Sequence, residues 1–322
     1  MPTATRPADR YAPTADLCVV TAYFNPAGFR SKRRNYDLFR ERIAAAGIQF
    51  VTVECGLGER QFELSPGPGV RRILGRDVMW QKERLLNVAI AGLPDSCRKV
   101  AWLDADLLFE NPDWAPAAAA RLDEFPVVQL FDRAVRLPRG ATGDDGRGDS
   151  YPGFAAVYAL EPQRLLAGDF AAHGHTGFGW AARREVLAGR GLYDACIAGS
   201  GDHMMAHAFC GDWTSTCVDR IIGAANRHRT YFADWCRAIY SRVRARVGFV
   251  PGAVLHLWHG EVADRRYVDR NRELAGFGFD PATDVRIGEA GCWEWASRKP
   301  ALHRWAADYF GRRREDGDET GE

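Results

Sequence analysis

Apolar positions in the first half of the chain form short continuous runs that alternate with segments of helical spacing. Residues Leu17–Tyr23 and 48–54 are mostly apolar and rich in β-branched and aromatic side chains, which predicts two buried strands. Between them, apolar positions recur at helical spacing from Ser31, an N-cap candidate, to Ala46, and Gly47 follows. This strand–helix–strand order predicts a doubly wound, Rossmann-like sheet, mostly parallel, flanked by helices.

The same alternation continues along the chain and predicts one α/β domain over residues 17–310. Further helices are expected at 79–91, 110–124 and part of 214–240. Further strands are expected at 70–74, 127–131 and 254–260. Residues 1–16 and 311–322 are polar or charged, and we expect both ends to be disordered.

The apolar run 99–109 is interrupted by two carboxylates two positions apart, Asp104 and Asp106. Because residues i and i+2 of an extended segment point the same way, both side chains are expected to converge on one point. Burying them is costly unless a cation neutralises them, and Mg²⁺ or Mn²⁺ sites combine one or two carboxylates with substrate phosphates. The alternative is a strand that ends in a polar turn, with Asp106 capping the next segment.

The predicted carboxyl ends of the strands hold polar side chains that are expected to meet at one rim of the sheet. These ends are Tyr23 with Asn25, Glu54, and the Asp104–Asp106 pair, and ligands of such sheets bind at that rim. Near the start of the helix at 79–91, Trp80 and Lys82 lie where free N–H groups favour anions. Lys82 is therefore a candidate phosphate ligand, although a solvated helix face is the alternative.

Composition excludes several classes of protein. Apolar residues make up 46% of the 322 positions, charged residues 26%, and the net charge is +1, so no global field attracts nucleic acid or an anionic membrane. No apolar run approaches the length of a membrane span. The eight cysteines lack C-x-x-C spacing, which favours reduced thiols in a cytoplasmic protein.

The order of residues 22–25 (Ala-Tyr-Phe-Asn), 80–87 (Trp-Gln-Lys-Glu-Arg-Leu-Leu-Asn) and 102–106 (Trp-Leu-Asp-Ala-Asp) resembles nucleotide-sugar-dependent glycosyltransferases of the GT-A fold, inverting enzymes similar to families 2 and 7. The resemblance implies that Asp106 binds Mn²⁺ or Mg²⁺ bridging the diphosphate of a nucleotide-sugar donor, with a UDP-sugar as the expected donor. It implies a supporting role for Asp104, at the ribose or the waters of the metal. It also assigns to the donor site these residues: Tyr23, Asn25, Trp80 and Lys82.

Residues 173–180 contain closely spaced glycines beside a tryptophan. Such spacing lets the backbone approach a ligand, here at Gly179, while Trp180 offers an aromatic face to a sugar. The run resembles the Gly/Trp-rich sugar-binding loop of inverting GT-A enzymes, without its attached acid. His173 and His175 are interpreted as loop histidines rather than metal ligands.

Asp202 follows two glycines and directly precedes an apolar helical run. It is either a helix N-cap or a general base on the acceptor hydroxyl. Inverting GT-A enzymes carry an acid in a comparable context, and the resemblance favours the base.

The strand at 254–260 contains His256 and ends near His259. Imidazole is a suitable ligand for Mn²⁺ beside carboxylates, and GT-A enzymes commonly complete the metal site with a late histidine. Because the two positions point to opposite faces of an ideal strand, only one is expected to bind, and His259 is favoured. The arginines of the run 265–270, shortly after, are expected to reach the diphosphate, and Arg266 is the one assigned to the donor site.

These residues together predict inverting transfer of a sugar from a nucleoside diphosphate to an unidentified hydroxyl acceptor. The Gly- and Asp-rich residues 137–152 are expected to form a mobile loop that either closes over the donor or has no role.

Two alternative functions remain open. A sugar-phosphate nucleotidyltransferase is the first alternative, although residues 24–30 match the Gly-rich signature of these enzymes poorly. A non-catalytic carbohydrate-binding protein is the second.

Overall fold

The computed structural model describes residues 16–58, 61–166 and 172–317, so the expected disorder of residues 1–15 and 318–322 lies outside the described residues. The strands are β1 Leu17–Tyr23, β2 Phe50–Leu57, β3 Val70–Gly75, β4 Lys99–Leu103, β5 Leu107–Phe109, β6 Val127–Gln129, β7 Arg133–Arg136, β8 Asp149–Pro152, β9 Gly179–Arg183, β10 Val247–Phe249, β11 Ala253–His256, β12 Val285–Ile287 and β13 Trp293–Trp295. The helices are α1 Arg30–Ala45, α2 Lys82–Ala91, α3 Trp114–Glu124, α4 Phe154–Leu160, α5 Pro162–Leu166, α6 Arg184–Leu187, α7 Gly201–Phe209, α8 Thr216–Ile222, α9 Arg227–Val243, α10 Tyr267–Gly276, α11 Pro281–Asp284 and α12 Pro300–Arg312.

The main sheet has seven strands in the order β10-β6-β9-β4-β1-β2-β3. Its neighbours are parallel except for β9, which is antiparallel to both β4 and β6. A four-stranded sheet, β5-β11-β7-β8, and the pair β12-β13 complete the described part of the chain. The predicted α/β class with a mostly parallel sheet is confirmed.

Helices bury both faces of the main sheet, which explains why its strands are continuously apolar. On one face, Val20 of β1 joins a cluster with Leu86 of α2 and Phe232 of α9. On the other face, the next residue back, Val19, packs in a cluster with Phe39 of α1. Successive strand residues point to opposite faces, so a sheet covered twice needs apolar side chains at every position.

Three expectations about local structure differ from the structure. The run 99–109 follows the alternative of a strand that ends in a polar turn, because β4 ends at Leu103 and Asp104–Asp106 form the turn to β5, which belongs to a different sheet. Residues 137–152 are not wholly a loop, since β8 pairs antiparallel with β7. The thiols are not all reduced, because Cys18 and Cys97 form a disulfide with a Cα–Cα distance of 5.8 Å.

Residues 311–317 of the charged tail are ordered, although disorder is expected for them from the sequence. Helix α12 continues to Arg312, and Glu315 is only 1% exposed. The buried Glu315 pairs with Arg313 at 2.5 Å and lies 3.6 Å from Lys32 Nζ. These opposite charges compensate one another, which is what permits a charged segment to be buried.

The tail also supplies the cap of α1 that was expected from Ser31. Asp316 Oδ2 accepts a hydrogen bond from the Arg30 N–H at 2.9 Å, and its Oδ1 accepts one from the Ser31 N–H at 2.7 Å. The Ser31 hydroxyl instead donates to the Glu315 carbonyl at 2.9 Å. Residues 315–316 therefore fix the start of α1, which lies early in the chain.

Among the described residues, no helix combines the length and the apolar character that crossing a bilayer requires.

Replacing Asp316 with alanine should lower the free energy of unfolding by about 1 kcal/mol, the usual cost of losing a helix cap, measured by urea denaturation. Burial opposes the charge of this carboxyl, but the hydrogen bonds from the Ser31 and Arg30 N–H groups outweigh it and lower the pKa of Asp316. The stabilisation should therefore be present at neutral pH and disappear as the pH falls through that lowered value. Asp308→Ala, at an exposed position of α12, serves as the control, and equal losses in both variants would contradict the capping role.

Candidate functional site

A large cleft lies where the carboxyl ends of β1 and β4 meet the loop 173–178, the start of α7, the end of β11 and α10. Its volume is about 670 Å³. Its lining includes Tyr23, Trp80, Lys82, Asp104, Asp106, Asp202, His256 and His259. Topology explains the location, because the strand ends of a parallel sheet open at one rim.

Lys82 bridges two of the carboxylates in the cleft. Its Nζ lies 2.5 Å from Asp104 Oδ1 and 2.5 Å from Asp202 Oδ2. Burial opposes the ammonium charge, but Asp104 and Asp202 outweigh it and raise the pKa of Lys82 well above its ordinary value. Burial raises the pKa of Asp104 to about 6, with Lys82 acting in the opposite direction. Lys82 therefore faces the cleft rather than solvent, and it holds Asp104 and Asp202 together.

Asp106 points to a different set of partners. Its Oδ2 lies 3.1 Å from His259 Nε2 and 3.8 Å from His256 Nε2, and the two imidazole nitrogens are 3.1 Å apart. Asp104 is not in this group, so the expected convergence of the two aspartates on one point is absent. The turn after β4 explains this, since the alternation of side chains holds only within an extended strand.

Both histidines reach Asp106, and the expectation that they point to opposite faces was wrong. Strand β11 ends at His256, so the strand geometry no longer governs His259. Burial lowers the pKa of His256 well below its ordinary value, with Asp106 acting in the opposite direction. Burial disfavours the charge of Asp106, but the neighbouring His256 and His259 outweigh this and lower the pKa of its carboxyl.

The outer nitrogen of His259 lies near a buried carboxylate. His259 Nδ1 is 3.5 Å from Glu315 Oε1, in the tail that was expected to be disordered. Arg265 Nη2 approaches His259 Nε2 at 3.1 Å, which places a guanidinium beside the Asp106 group. Asp106 Oδ1 is buried and has no hydrogen-bond partner in the part of the chain that the structure describes.

Arginines form one wall of the cleft, but Arg266 is not among them. Arg265, Arg270 and Arg313 line it, and Arg270 Nη2 donates to Ser200 Oγ at 2.8 Å. Arg266 instead pairs with Glu273 at 2.8 Å on the outside of α10. The backbone of Arg266 is left-handed (φ 46°), and the chain turns there between the buried side chain of Arg265 and the exposed side chain of Arg266. Arg266 therefore does not face the cleft, where its contact with the diphosphate was expected.

The predicted sugar-stacking residues lie in the core instead. Gly179 and Trp180 belong to β9, and Trp180 is 1% exposed and packs against Phe154 and Phe209. Within the segment 173–180, the aromatic side chain that lines the cleft is that of Phe178, which stacks on His256 with a distance of 4.6 Å between ring centroids. A strand in the middle of a sheet covered on both faces leaves its side chains no path to the cleft.

Tyr23 and Asn25 converge on one carboxylate, although only Tyr23 lines the cleft. The Tyr23 hydroxyl donates to Glu63 Oε2 at 2.5 Å, and Asn25 Nδ2 donates to Glu63 Oε1 at 2.9 Å. Asn25 faces a separate small cavity. Its side chain therefore orders the loop after β1 and does not face the cleft directly.

Asp202 does not cap α7. The N-cap is Ser200, in a left-handed conformation with φ 79°, and Asp202 lies in the first turn. The Asp202 carboxylate instead faces the cleft and contacts Lys82. Its oxygens are therefore not engaged in capping α7.

A second group of metal-ligating side chains was missed. One potential ligand atom from each of His173, His203, His207 and Cys217 lies within 4.8 Å of the others, and all four side chains are buried. His173 had been interpreted as a loop histidine. The available signal was the spacing of His203 and His207, since residues four apart share one face of a helix. His175, also interpreted as a loop residue, lines the cleft, and burial lowers its pKa to about 3.

Comparisons with known proteins give weak structural likenesses. No family model and no curated protein matches this chain. A Drosophila β1,4-galactosyltransferase 7 mutant in complex with manganese, UDP-Gal and xylobiose aligns with 13% identity and a TM-score of 0.31, over 59% of this chain and 58% of that one. A 4-diphosphocytidyl-2C-methyl-D-erythritol synthase from Anaerococcus prevotii aligns with 8% identity and a TM-score of 0.34, over 74% and 90%. A glycosyltransferase involved in glycosylation of the major capsid of PBCV-1 aligns with 10% identity and a TM-score of 0.33, over 80% and 98%. At these TM-scores, the function has to be inferred from the site of this chain itself.

Replacing Lys82 with methionine should lower the free energy of unfolding at about pH 8 by roughly 3–5 kcal/mol, because two buried carboxylates lose their cation. A carboxyl whose pKa is raised on folding loses stability as the pH rises through the raised value. The pKa of Asp104 is already raised to about 6, so the loss should be smaller at about pH 5.

Urea denaturation at both pH values measures this effect. Lys99→Met is the matched control, because Lys99 pairs at 2.7 Å with an Asp123 side chain that is 66% exposed, and its loss should stay below about 1 kcal/mol. A Lys82→Met variant that is no less stable than this control, or is most destabilised in acid, would contradict the bridging role.

Proposed function

We propose that this chain is a metal-dependent GT-A-type glycosyltransferase that moves a sugar from a nucleoside diphosphate, UDP in the first instance, to an acceptor hydroxyl with inversion. The observation that carries the proposal is the joint presence in one cleft of two separate devices. One is the Asp106–His256–His259 group, and the other is Asp202, held on Lys82.

The residues of the first device fit a divalent cation. A carboxylate and two imidazoles suit Mn²⁺, and the buried, unpartnered Asp106 Oδ1 is an oxygen available to a cation. Glu315 beside His259 Nδ1 corresponds to the carboxylate that commonly orients a metal-binding histidine. When bound, the cation supplies Lewis-acid stabilisation of the leaving diphosphate. We assign Asp104 to positioning Lys82 rather than to direct ligation.

The arginine wall complements the charge of the donor. Arg265 and Arg270 are buried yet present guanidinium groups to the cleft, and guanidinium binds phosphate oxygens in a bidentate manner. Arg313 lies over the Trp80 ring at 5.1 Å, which fixes this aromatic side chain at the cleft wall. We assign Trp80 and Tyr23 to the donor side of the site.

Asp202 is assigned as the general base. Its carboxylate takes the proton of the acceptor hydroxyl while the hydroxyl oxygen forms the bond to the anomeric carbon and the bond to the diphosphate breaks. Attack on the face opposite the leaving group inverts the anomeric configuration. Lys82 Nζ, 2.5 Å from Asp202 Oδ2, and the first turn of α7 hold the carboxylate in position.

Asp202→Asn should lower kcat by roughly 10²–10⁴-fold, the usual contribution of a general base. The assay is release of UDP from a panel of UDP-sugars with Mn²⁺ and candidate acceptors. Asp269→Asn, exposed on α10, is the control and should keep full activity. Unchanged turnover in Asp202→Asn would remove the base assignment. Consumption of a sugar phosphate and a nucleoside triphosphate would indicate a nucleotidyltransferase, and no turnover with any donor would indicate a binding protein.

Mn²⁺ binding should depend on Asp106 and not on Asp104. Titration calorimetry should show loss of binding in Asp106→Asn, retained binding in Asp104→Asn, and binding weakened about 10- to 100-fold in Glu315→Gln through misorientation of His259. Equal effects of the two aspartate variants would instead favour a shared site, and circular dichroism verifies that each variant is folded.

A further inference from the structure

The second ligand group, His173, His203, His207 and Cys217, is built from three separate segments of the chain. His203 and His207 lie one turn apart on α7, His173 begins the loop 173–178 that lines the cleft, and Cys217 is in the first turn of α8. His207 and Cys217 are 0% exposed, His173 is 2% exposed and His203 is 9% exposed. The three imidazole rings lie 4.7–5.2 Å apart between centroids.

Each imidazole is held from its outer nitrogen. His207 Nδ1 lies 2.9 Å from Asp212 Oδ2, His173 Nδ1 lies 2.9 Å from the Gly174 carbonyl, and His203 Nδ1 lies 3.4 Å from Thr176 Oγ1. Metal-ligating histidines characteristically give one ring N–H to a carboxylate or carbonyl, which fixes the tautomer and the ring orientation. In His207, whose Nδ1 faces Asp212, the nitrogen available to a shared metal is therefore Nε2.

Packing alone leaves this arrangement unexplained. His207 Nε2 is buried and has no hydrogen-bond partner among the described residues, and an unsatisfied buried polar atom costs about 1–3 kcal/mol. A cation at the centre of the group would satisfy this nitrogen.

We propose that His173, His203, His207 and Cys217 bind a structural Zn²⁺ ion. Zinc is typically bound in a closed tetrahedral set of imidazole and thiolate ligands, whereas a thiolate is not a ligand that Mn²⁺ or Mg²⁺ favours. In such a tetrahedron the ligand atoms lie about 3.3–3.7 Å apart, and here they all lie within 4.8 Å of one another, so a small contraction completes the site. Four protein ligands leave no open position, which favours a structural over a catalytic role.

The zinc ion would stabilise one side of the cleft. His203 directly follows Asp202, and His173 begins the segment that contains His175 and Phe178. A metal joining α7, α8 and this segment would fix the first turn of α7, where the carboxylate of Asp202 is presented. The zinc proposal stands without the proposed reaction, because it depends only on the four ligands and the groups that orient them.

Metal analysis of the purified full-length chain tests the proposal. We expect one zinc per chain, lost in Cys217→Ser and retained in Cys236→Ser, a buried cysteine on α9 outside the group. Zinc should also be retained in Asp106→Asn. Asp212→Asn should weaken zinc binding about 10- to 100-fold, in competition with a chromophoric chelator, because His207 loses its orienting carboxylate.

Cobalt substitution in the wild-type chain keeps the test decisive where a variant fails to fold. Co²⁺ in this site should give the visible bands of a tetrahedral ion together with a thiolate-to-cobalt charge-transfer band. Absence of zinc in the purified chain combined with absence of that band overturns the proposal. Zinc that survives Cys217→Ser but disappears in Asp106→Asn also overturns it, since the metal then belongs to the other group.

Discussion

The structure depends on how two carboxylates, emerging together from the central strand β4, are neutralised below the protein surface. Asp104 and Asp106 are both partly buried, and an isolated charge in such surroundings is costly. The chain meets this constraint twice with different partners. Lys82 neutralises Asp104, and two histidines contact Asp106. These partners come from α2 and from the end of β11, so satisfying the carboxylates determines which segments enclose the cleft.

The C-terminal segment 313–316 links the cleft to the overall fold. Glu315 lies beside His259 and Arg313, while the adjacent Asp316 caps α1. One short segment therefore orients a candidate metal ligand and also completes a helix near the other end of the chain. This segment is buried because its charged side chains form ion pairs, not because it buries apolar area. Its composition therefore resembles that of a solvated tail.

The two ligand groups differ in chemistry and share one connecting loop. The Asp106 group offers oxygen and nitrogen near the arginine wall, whereas the His207 group offers nitrogen and sulfur in the core. Between them, Phe178 stacks on His256 at 4.6 Å, and His173 belongs to the second group. The loop 173–178 thus contacts both groups.

The amino-acid sequence by itself determined part of the α/β fold, including β1, α1, β2 and α2, because apolar spacing records burial on one face or two. It also singled out Asp106, His256, His259 and Asp202, whose residue types are rare in apolar runs. The partner of each side chain was decided only by the tertiary structure. Asp104 turns to Lys82, Trp180 faces the core, Arg265 replaces Arg266, and Glu315 enters the site. Each of these contacts joins segments far apart in the chain, and local spacing carries no information about which distant segments become neighbours.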